Sequence, residues 1–266
     1  MSSNAFPEPN ARLEMHTHST VSDGVHSPTF LAELCAHKGV GLWSLTDHDT
    51  CGGCEEAWSA CREQGVTFVP GIEISAQARG RSIHVLGYGF DPESAPIRAY
   101  AKRLEQGRLE RMAAMIERVN GLGFGVTLDE VLKESERGNV GRPHLARVMQ
   151  RSGYVETTQE AFDLYLADDR PAYVPMKWFE VEEAIELIAQ AGGFTVLAHP
   201  ARYEHLDSNV ARWKSMGLSG LEVRHPSHGL ADEERLVRLA NQNGLLKTAS
   251  SDFHGGGREG DEALVA

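Results

Sequence analysis

The sequence has 266 residues, enough to bury a sizeable core as one large α/β domain or as one domain with an insertion, and its 41% hydrophobic and 24% charged residues are typical of a globular protein. The formal net charge of -12 argues against a protein that holds nucleic acid on a broad basic surface, so we expect no stable DNA partner. The first fifteen residues lack the basic start and apolar core of a signal peptide, and no apolar run approaches ~20 residues, so we expect a cytoplasmic protein without a membrane partner. The sequence does not determine the oligomeric state, and we favour a monomer.

In chain order, the first part of the sequence alternates between strand and helix patterns. Ser27 and Pro28 are typical of a helix start, and Gly39 and Gly65 are typical of helix ends. The predicted strands are residues 13–17, 41–45, 66–69, 72–75 and 83–88, and the predicted helices are residues 29–37 and 55–64.

The strand patterns stop near residue 97, and helical patterns replace them as far as residue 170. Within this stretch we predict helices at residues 97–119, 128–136, 143–150 and 158–166. We interpret residues 97–170 as a helical insertion in a larger domain.

After residue 171 the alternation resumes. The predicted helices are residues 182–190, 210–216 and 232–241, and the predicted strands are residues 194–198, 220–223 and 245–250. If residues 66–69 and 72–75, which are separated only by a bend at Pro70-Gly71, count as one segment, seven strand-like segments alternate with helices. This alternation predicts an α/β fold with a closed parallel barrel rather than an open sheet. The barrel comprises residues 13–96 and 171–266, and residues 1–12 form an N-terminal tail.

The four cysteines lie within one short region, which is not typical of a secreted disulfide framework. Cys51 and Cys54 form a Cys-x-x-Cys motif, but a zinc knuckle needs a second pair and the sequence has none. Two interpretations stay open, a redox motif and a glycine turn that opens a helix.

Histidines and carboxylates recur at or just after the ends of the predicted strands. They offer six imidazoles and three carboxylates, without a thiolate, from His16, His18, Asp23, His48, Glu73, His84, His199, Asp252 and His254. His16 and His18 are two residues apart on a predicted strand, so both imidazoles leave the same face. Working groups gather where the strands of a parallel α/β barrel end. This donor set suits manganese, iron or zinc, and nine donors suit two or three divalent ions that share a bridging carboxylate. Taken alone, His84 is also compatible with a buried core histidine.

These residues carry a resemblance to a known family. The pattern His16-x-His18, Asp23-Gly24, Thr46-Asp47-His48-Asp49, Gly71-x-Glu73, His84, Ala198-His199-Pro200 and Ser251-Asp252-Phe253-His254 resembles the PHP family, named for polymerases and histidinol phosphatases. The resemblance covers about residues 13–255. It implies a distorted seven-stranded barrel, and the helical insertion is similar to that of the subgroup that removes the 3′-phosphate of nucleoside 3′,5′-bisphosphates and trims short RNA from its 5′ end.

The resemblance also implies roles for individual residues. One ion has the ligands His16, His18, Glu73 and Asp252, a second has Glu73, His84 and His199, and a third has Asp23, His48 and His254. The insertion is expected to act as a substrate-binding cap. The residues expected to contact the substrate, some of them in this insertion, are Arg142, His144, Arg202, His228, Asp23 and His48. The guanidinium groups of Arg142 and Arg202 suit phosphate, and His144 or His228 is the expected proton donor. Structural roles at a helix start or on the surface are the alternatives.

Two features depart from the family pattern. Glu14 stands where the family usually has aspartate, which is expected to loosen the support of His16. The sequence also ends soon after His254, with residues 255–266, where relatives usually continue.

We therefore expect a metal-dependent phosphoesterase, most readily with manganese, that acts on a small nucleotide substrate or short RNA. One alternative is a histidinol-phosphate phosphatase with the same metal core and a different pocket. Another is a non-catalytic binding module that metal stabilises.

Overall fold

The computed structural model describes residues 12–135 and 140–255. The strands are β1 Arg12–Glu14, β2 Val40–Trp43, β3 Thr67–Phe68, β4 Gly71–Ala78, β5 Arg81–Tyr88, β6 Phe179–Glu180, β7 Phe194–Leu197, β8 Leu218–Arg224 and β9 Leu246–Ala249. The helices are α1 Pro28–His37, α2 Cys54–Gln64, α3 Ala95–Gly121, α4 Leu128–Glu134, α5 Arg142–Arg151, α6 Thr158–Ala161, α7 Val181–Gln190, α8 Leu206–Ser215 and α9 Leu230–Asn243. The predicted α/β class is confirmed.

A small parallel sheet carries the first predicted ligands. It has the order β1-β2-β3, and both pairings are parallel. The β1–β2 pairing continues past the strands, because the Ser44 N–H donates to the Glu14 carbonyl at 2.9 Å and the Thr46 N–H to the Thr17 carbonyl at 3.0 Å. The segment that follows β1 is therefore extended as far as His18.

A larger sheet has the order β6-β4-β5-β7-β8-β9 and is mixed, so the expectation of a wholly parallel arrangement is wrong. Strand β5 runs antiparallel to both β4 and β7, whereas the other pairs of this sheet are parallel. The reason is local. Arg79 and Gly80 both have positive φ, which is the geometry of a two-residue hairpin turn, and β4 and β5 pair directly across it.

Two isolated β-bridges extend the pairing of the backbone beyond the ends of β1, β2 and β9. Thr17 pairs with Phe253 beyond β9, and His48 beyond β2 pairs with Glu73 in β4. Backbone hydrogen bonds accompany both bridges, from the His18 N–H to the Phe253 carbonyl at 2.8 Å and from the Asp49 N–H to the Glu73 carbonyl at 2.9 Å. The bridges bring the polar segments after β1, β2 and β9 alongside β4.

Helices α1 and α2 cover the small sheet with apolar side chains. The Ser27 hydroxyl accepts from the Phe30 N–H, and Pro28 begins the helix, as the sequence predicts. Leu31 and Cys35 from α1, Cys61 from α2 and Trp43 from β2 share one buried cluster. Burial raises the pKa of the Cys61 thiol to about 12, so this cysteine behaves as a small apolar side chain.

Contacts divide the chain into a first unit, Met1–Ala99 with Trp178–Ala266, and a second unit, Tyr100–Lys177. The second unit is helical and has a core of its own, in which Met115, Leu145 and Met149 are buried. Among the described residues, none of the helices is both long enough and apolar enough to cross a lipid bilayer.

Most predicted elements are confirmed, with shifts at their ends. The predicted helix at residues 158–166 is a short α-helix followed by a π-helical turn at Phe162–Leu166. Helix α8 begins at Leu206, earlier than the predicted residue 210. Strand β6 was not predicted, because two residues carry too little periodicity to be seen in a sequence.

Gly71 permits the close approach of β4 to the segment after β2. A Cβ atom at this position would lie 2.2 Å from the Ser44 Oγ and 2.7 Å from the Leu45 carbonyl oxygen. We expect Gly71→Ala to lower the free energy of unfolding by about 1–3 kcal/mol. Gly121→Ala is the matched control, since no atom lies within 4 Å of its Cβ position. Chemical denaturation of both variants is the measurement, and equal stabilities would contradict this account of Gly71.

Candidate metal centre

The polar segments that follow β1, β2 and β9 meet Glu73 of β4. His16 and His18 are fully buried, and their rings are 5.2 Å apart between centroids. The period of an extended chain aims both at the same side, as the sequence predicts. The side chains of His16, His18, Glu73 and Asp252 form a group whose ligand atoms all lie within 4.8 Å of one another.

Glu73 is the carboxylate around which the imidazoles converge. Its Oε1 lies 2.8 Å from His84 Nδ1 and 3.2 Å from His199 Nε2. Its Oε2 lies 3.0 Å from His48 Nδ1, 3.3 Å from His18 Nε2 and 3.4 Å from His16 Nε2. Because both oxygens face several imidazoles, this carboxylate could be shared as a ligand if two cations were bound.

Two further groups overlap the first. One consists of His18, Asp23, His48 and His254, and the other of His48, Glu73 and His84. His18 belongs to two groups, but a neutral imidazole has one nitrogen lone pair, so it can serve only one of them as a ligand. The structure thus brings all nine predicted ligands into one cluster, and their assignment to particular ions stays a prediction.

The cluster fits divalent cations. The Nε2 atom of His16, both ring nitrogens of His18 and the Nδ1 atom of His48 are buried and make no hydrogen bond to any described residue. A buried polar nitrogen without a partner is costly, and a cation would supply the missing interaction. Imidazole and carboxylate donors without thiolate suit manganese, iron or zinc.

Charge pairing shifts the pKa values in this cluster strongly. Burial raises the pKa of Glu73, but the imidazoles, with His48 and His16 foremost, outweigh burial and hold the pKa well below its usual value. Burial lowers the pKa of His18, yet the nearby carboxylates of Asp252 and Glu73 outweigh it and raise the pKa to about 9. Protons and cations therefore compete for the same imidazoles, and the carboxylates are ionised acceptors at neutral pH.

Glu222, which sequence reasoning missed, supports two of the predicted ligands from a wholly buried position in β8. Its Oε1 lies 3.1 Å from His16 Nδ1 and accepts from the Ser250 hydroxyl, and its Oε2 accepts from the His199 N–H at 2.6 Å. A hydrogen bond from Nδ1 to a carboxylate leaves Nε2 of His16 with its lone pair available for a cation.

Glu14 also acts within the buried centre. Its Oε1 accepts from the His16 N–H at 3.2 Å and from the Ser251 N–H at 3.1 Å. The longer side chain therefore reaches the backbone of His16 and ties the segment after β1 to the segment after β9. The second departure from the family pattern is the short tail after His254. Residues 256–266 of that tail lie outside the described residues.

His225 is a second residue that the sequence analysis missed. Its Nε2 lies 3.2 Å from Asp252 Oδ2, and its Nδ1 accepts from the Ser227 N–H at 3.0 Å. His228 lies one step further out, with its ring centroid 5.2 Å from that of His225. His225 lies two residues after the predicted strand at residues 220–223, a position like that of several predicted ligands, and that position was the signal for it.

Two predicted ligands sit on strained backbone. His199 has φ 31° and Asp252 has φ 52°, in the left-handed region that residues other than glycine adopt uncommonly, with asparagine, aspartate and histidine the most frequent among them. Each such residue costs about 1–3 kcal/mol and persists where the surrounding structure holds it. Here hydrogen bonds hold both positions, from the His199 N–H to Glu222 and from the His254 side chain to the Asp252 carbonyl.

Arg202 and His228 belong to the first unit, like the metal cluster. The Arg202 Nε donates to the Ser227 hydroxyl at 3.2 Å, which links two of the segments predicted to contact substrate. His228 is buried, and its Nδ1 donates to the Val223 carbonyl at 3.1 Å. Because a carbonyl only accepts, the neutral His228 ring presents Nε2 as an acceptor.

Arg142 and His144 belong to the second unit, at the start of α5. The Arg142 guanidinium donates to the Asp168 carboxylate at 2.6 Å and lies 5.5 Å above the Tyr173 ring. His144 Nδ1 accepts from the Gly141 N–H at 2.9 Å. Burial and then the charge of Arg147 lower the pKa of His144, which favours the neutral ring at neutral pH.

Comparison with known proteins gives concordant matches. The family model described as PHP domain matches residues 14–203. The chain is 33% identical over 255 residues to a 3′,5′-nucleoside bisphosphate phosphatase of Chromobacterium violaceum, covering 94% of this chain and 90% of that protein. It is 33% identical over 247 residues to a 5′-3′ exoribonuclease of Haemophilus influenzae, covering 91% and 90%. A solved structure described as a metal-dependent phosphoesterase of Bifidobacterium adolescentis superposes with a TM-score of 0.75 at 34% identity, covering 98% and 94%.

Replacement of Glu222 tests its support of the metal ligands. Glu222→Gln keeps the size of the side chain but removes the charge that faces His16, so we expect manganese to bind about 10- to 100-fold more weakly. Glu204→Gln, an exposed glutamate of the same unit, is the control. Isothermal titration calorimetry gives the affinities. Equal affinity of the Glu222 variant and the wild type would show that His16 needs no support from this carboxylate.

Proposed function

The chain belongs to the PHP domain family and is a metal-dependent phosphoesterase, and from that premise we propose that it hydrolyses the 3′-phosphate ester of nucleotides, in nucleoside 3′,5′-bisphosphates or at the 5′ end of short RNA. The observation that carries the proposal is the buried Glu73 carboxylate, with both oxygens facing histidines from separate segments of the chain. The names of the two relatives support nucleotides as substrates.

We propose manganese as the cation that the cluster binds. The residues that would hold two or three such ions are the nine predicted ligands, with Glu73 shared. When bound, divalent cations at a site of this kind generate a nucleophile from water and offset the charge of the phosphoryl oxygens.

The chain's own residues orient the ligands and the ester. Asp47 accepts from the Ser19 N–H and hydroxyl and from the Ser22 hydroxyl, so it fixes the turn that carries Asp23. The Arg202 guanidinium has the planar fork that matches phosphate oxygens, and the bond from its Nε to Ser227 orients it. These groups would hold the ester in one pose.

The leaving ribose oxygen requires a proton, and we propose His228 rather than His144 as its source. Nε2 of His228 is buried and makes no hydrogen bond to any described residue, so it is free to carry that proton when the ring is cationic. The lowered pKa of His144 disfavours the cationic ring there. The contact of Arg142 and His144 with substrate stays a prediction from the sequence.

We also propose that the two sheets close into a seven-stranded barrel. Support comes from the bridges of Thr17 with Phe253 and of His48 with Glu73, which continue the pairing past the ends of β1, β2 and β9. The polar segments after those strands would then line one end of the barrel, where working groups gather in α/β barrels.

Phosphate release tests the activity. We expect the manganese-loaded protein to release phosphate from adenosine 3′,5′-bisphosphate, and His16→Ala to slow this reaction by at least about 100-fold because it removes a ligand. His37→Ala, an exposed histidine on α1, is the control and should retain full activity. Release from histidinol phosphate alone would instead favour the histidinol-phosphate phosphatase interpretation.

Metal removal separates an enzyme from a binding module. Treatment with a chelator is expected to abolish turnover and to lower the melting temperature, because the buried imidazoles lose their cations, and manganese should restore both. Differential scanning fluorimetry and phosphate release are measured on the same samples. Restored stability without turnover on any phosphate ester would identify a metal-stabilised module.

A further inference from the structure

We propose that a basic cleft beside the metal centre binds a phosphate of the nucleotide chain beyond the scissile ester, so that the enzyme accepts an oligonucleotide. The inference rests on the proposed phosphoesterase function. The cleft has a volume of about 480 Å³ and lies between the β4–β5 turn and the segment after β7. That volume is within the range of ligand pockets.

The cleft adjoins the predicted metal ligands through a single side chain. Tyr203 lines the cleft, and its hydroxyl accepts from the His84 N–H at 2.9 Å and lies 3.1 Å from His199 Nδ1. Ile83, the neighbour of His84 in the chain, lines it as well. Tyr203 therefore separates the cleft from His84 and His199, and an oligonucleotide with an ester at the metal cluster would pass over this side chain to place a further phosphate in the cleft.

The charge of the cleft suits an anion. Arg79, Arg81 and Arg202 line it, in a protein whose net charge is -12. None of these three arginines forms an ion pair with any carboxylate in the described ranges, although Glu204 also lines the cleft. Guanidinium groups bind phosphate through paired hydrogen bonds, whereas the net negative charge of the protein disfavours an anion.

The backbone conformation of the β4–β5 turn supports a functional role for Arg79. Arg79 has φ 53°, a conformation that asparagine or glycine adopts at lower cost. A turn selected for stability alone would favour one of those residues. The strained arginine lies at the tip of the hairpin, where its side chain lines the cleft.

The cleft and the metal cluster would hold different parts of one substrate. In a free bisphosphate, the scissile phosphate would bind at the metal cluster, and the only other phosphate is the 5′-phosphate of the same nucleotide. An oligonucleotide has, in addition, phosphates on the other side of the scissile bond, and these need a basic surface that a free nucleotide does not require. Arg79 and Arg81 provide that surface.

The test compares the wild type with the double variant Arg79→Asn/Arg81→Thr. Asparagine tolerates the left-handed turn position and threonine favours strands, so the variant removes two charges without weakening the hairpin. The matched control is Arg62→Ala/Arg238→Ala, two exposed arginines of the same unit that do not line the cleft. Melting temperatures of all three proteins establish that they are folded.

Two measurements are made on manganese-loaded protein. The first is kcat/KM for adenosine 3′,5′-bisphosphate and for a 5′-phosphorylated RNA tetranucleotide. The second is binding of a fluorescent phosphorothioate version of the tetranucleotide, followed by anisotropy at two salt concentrations. We expect the ratio of kcat/KM for the tetranucleotide to that for the bisphosphate to fall about tenfold in the cleft variant and to stay constant in the control. The salt dependence of binding should weaken in the same variant.

An unchanged or raised ratio in the cleft variant overturns the proposal, even where both activities remain. If the wild type hydrolyses neither substrate, the proposed function fails. The anisotropy measurement of tetranucleotide binding then tests the phosphate site in the cleft by itself. Weaker binding by the cleft variant than by the control would then support the phosphate site, and equal binding by all three proteins would overturn it.

Discussion

The structure depends on one buried carboxylate. Glu73 is 1% exposed, and five histidine nitrogens lie within 3.4 Å of its two oxygens. An isolated buried charge is unstable, and this one is stabilised because histidines from four parts of the chain converge on it, namely β5 and the segments after β1, β2 and β7. The sheet arrangement, the bridges and the hydrogen bonds of Asp47 and Glu14 all serve to deliver those segments to the same point. Fold and site therefore share their most important contact.

The cost of this arrangement is visible in the backbone and in the neighbouring charges. His199 and Asp252 occupy the left-handed region, and Glu14 and Glu222 are wholly buried carboxylates beside them. A fold optimised for stability alone would avoid both features. Their concentration around one cluster is typical of a functional site, where bound cations supply the compensating free energy.

The sequence predicted those parts of the site that depend on local pattern. The placement of His16, His18 and Asp252 follows from where strands end, and the structure brings these residues together. Strand direction at β5 was missed because the two-residue turn at Arg79 and Gly80 decides it, not the strand pattern. Glu222 was missed because a polar residue within a strand usually faces solvent. The partner of Arg142 was also beyond sequence reasoning, since Asp168 meets it only after the helices pack.

The ligands lie at widely separated places along the chain, and this has a consequence for biosynthesis. A nascent chain acquires His16, His18 and Glu73 early, but the group that Asp252 completes forms only after residue 252 has been synthesised. Before that moment the growing polypeptide has unshielded histidines and a carboxylate without its full set of partners. Loading of the ion that Asp252 would share therefore has to wait for the synthesis of residue 252, and premature termination before that residue yields a product that lacks this site.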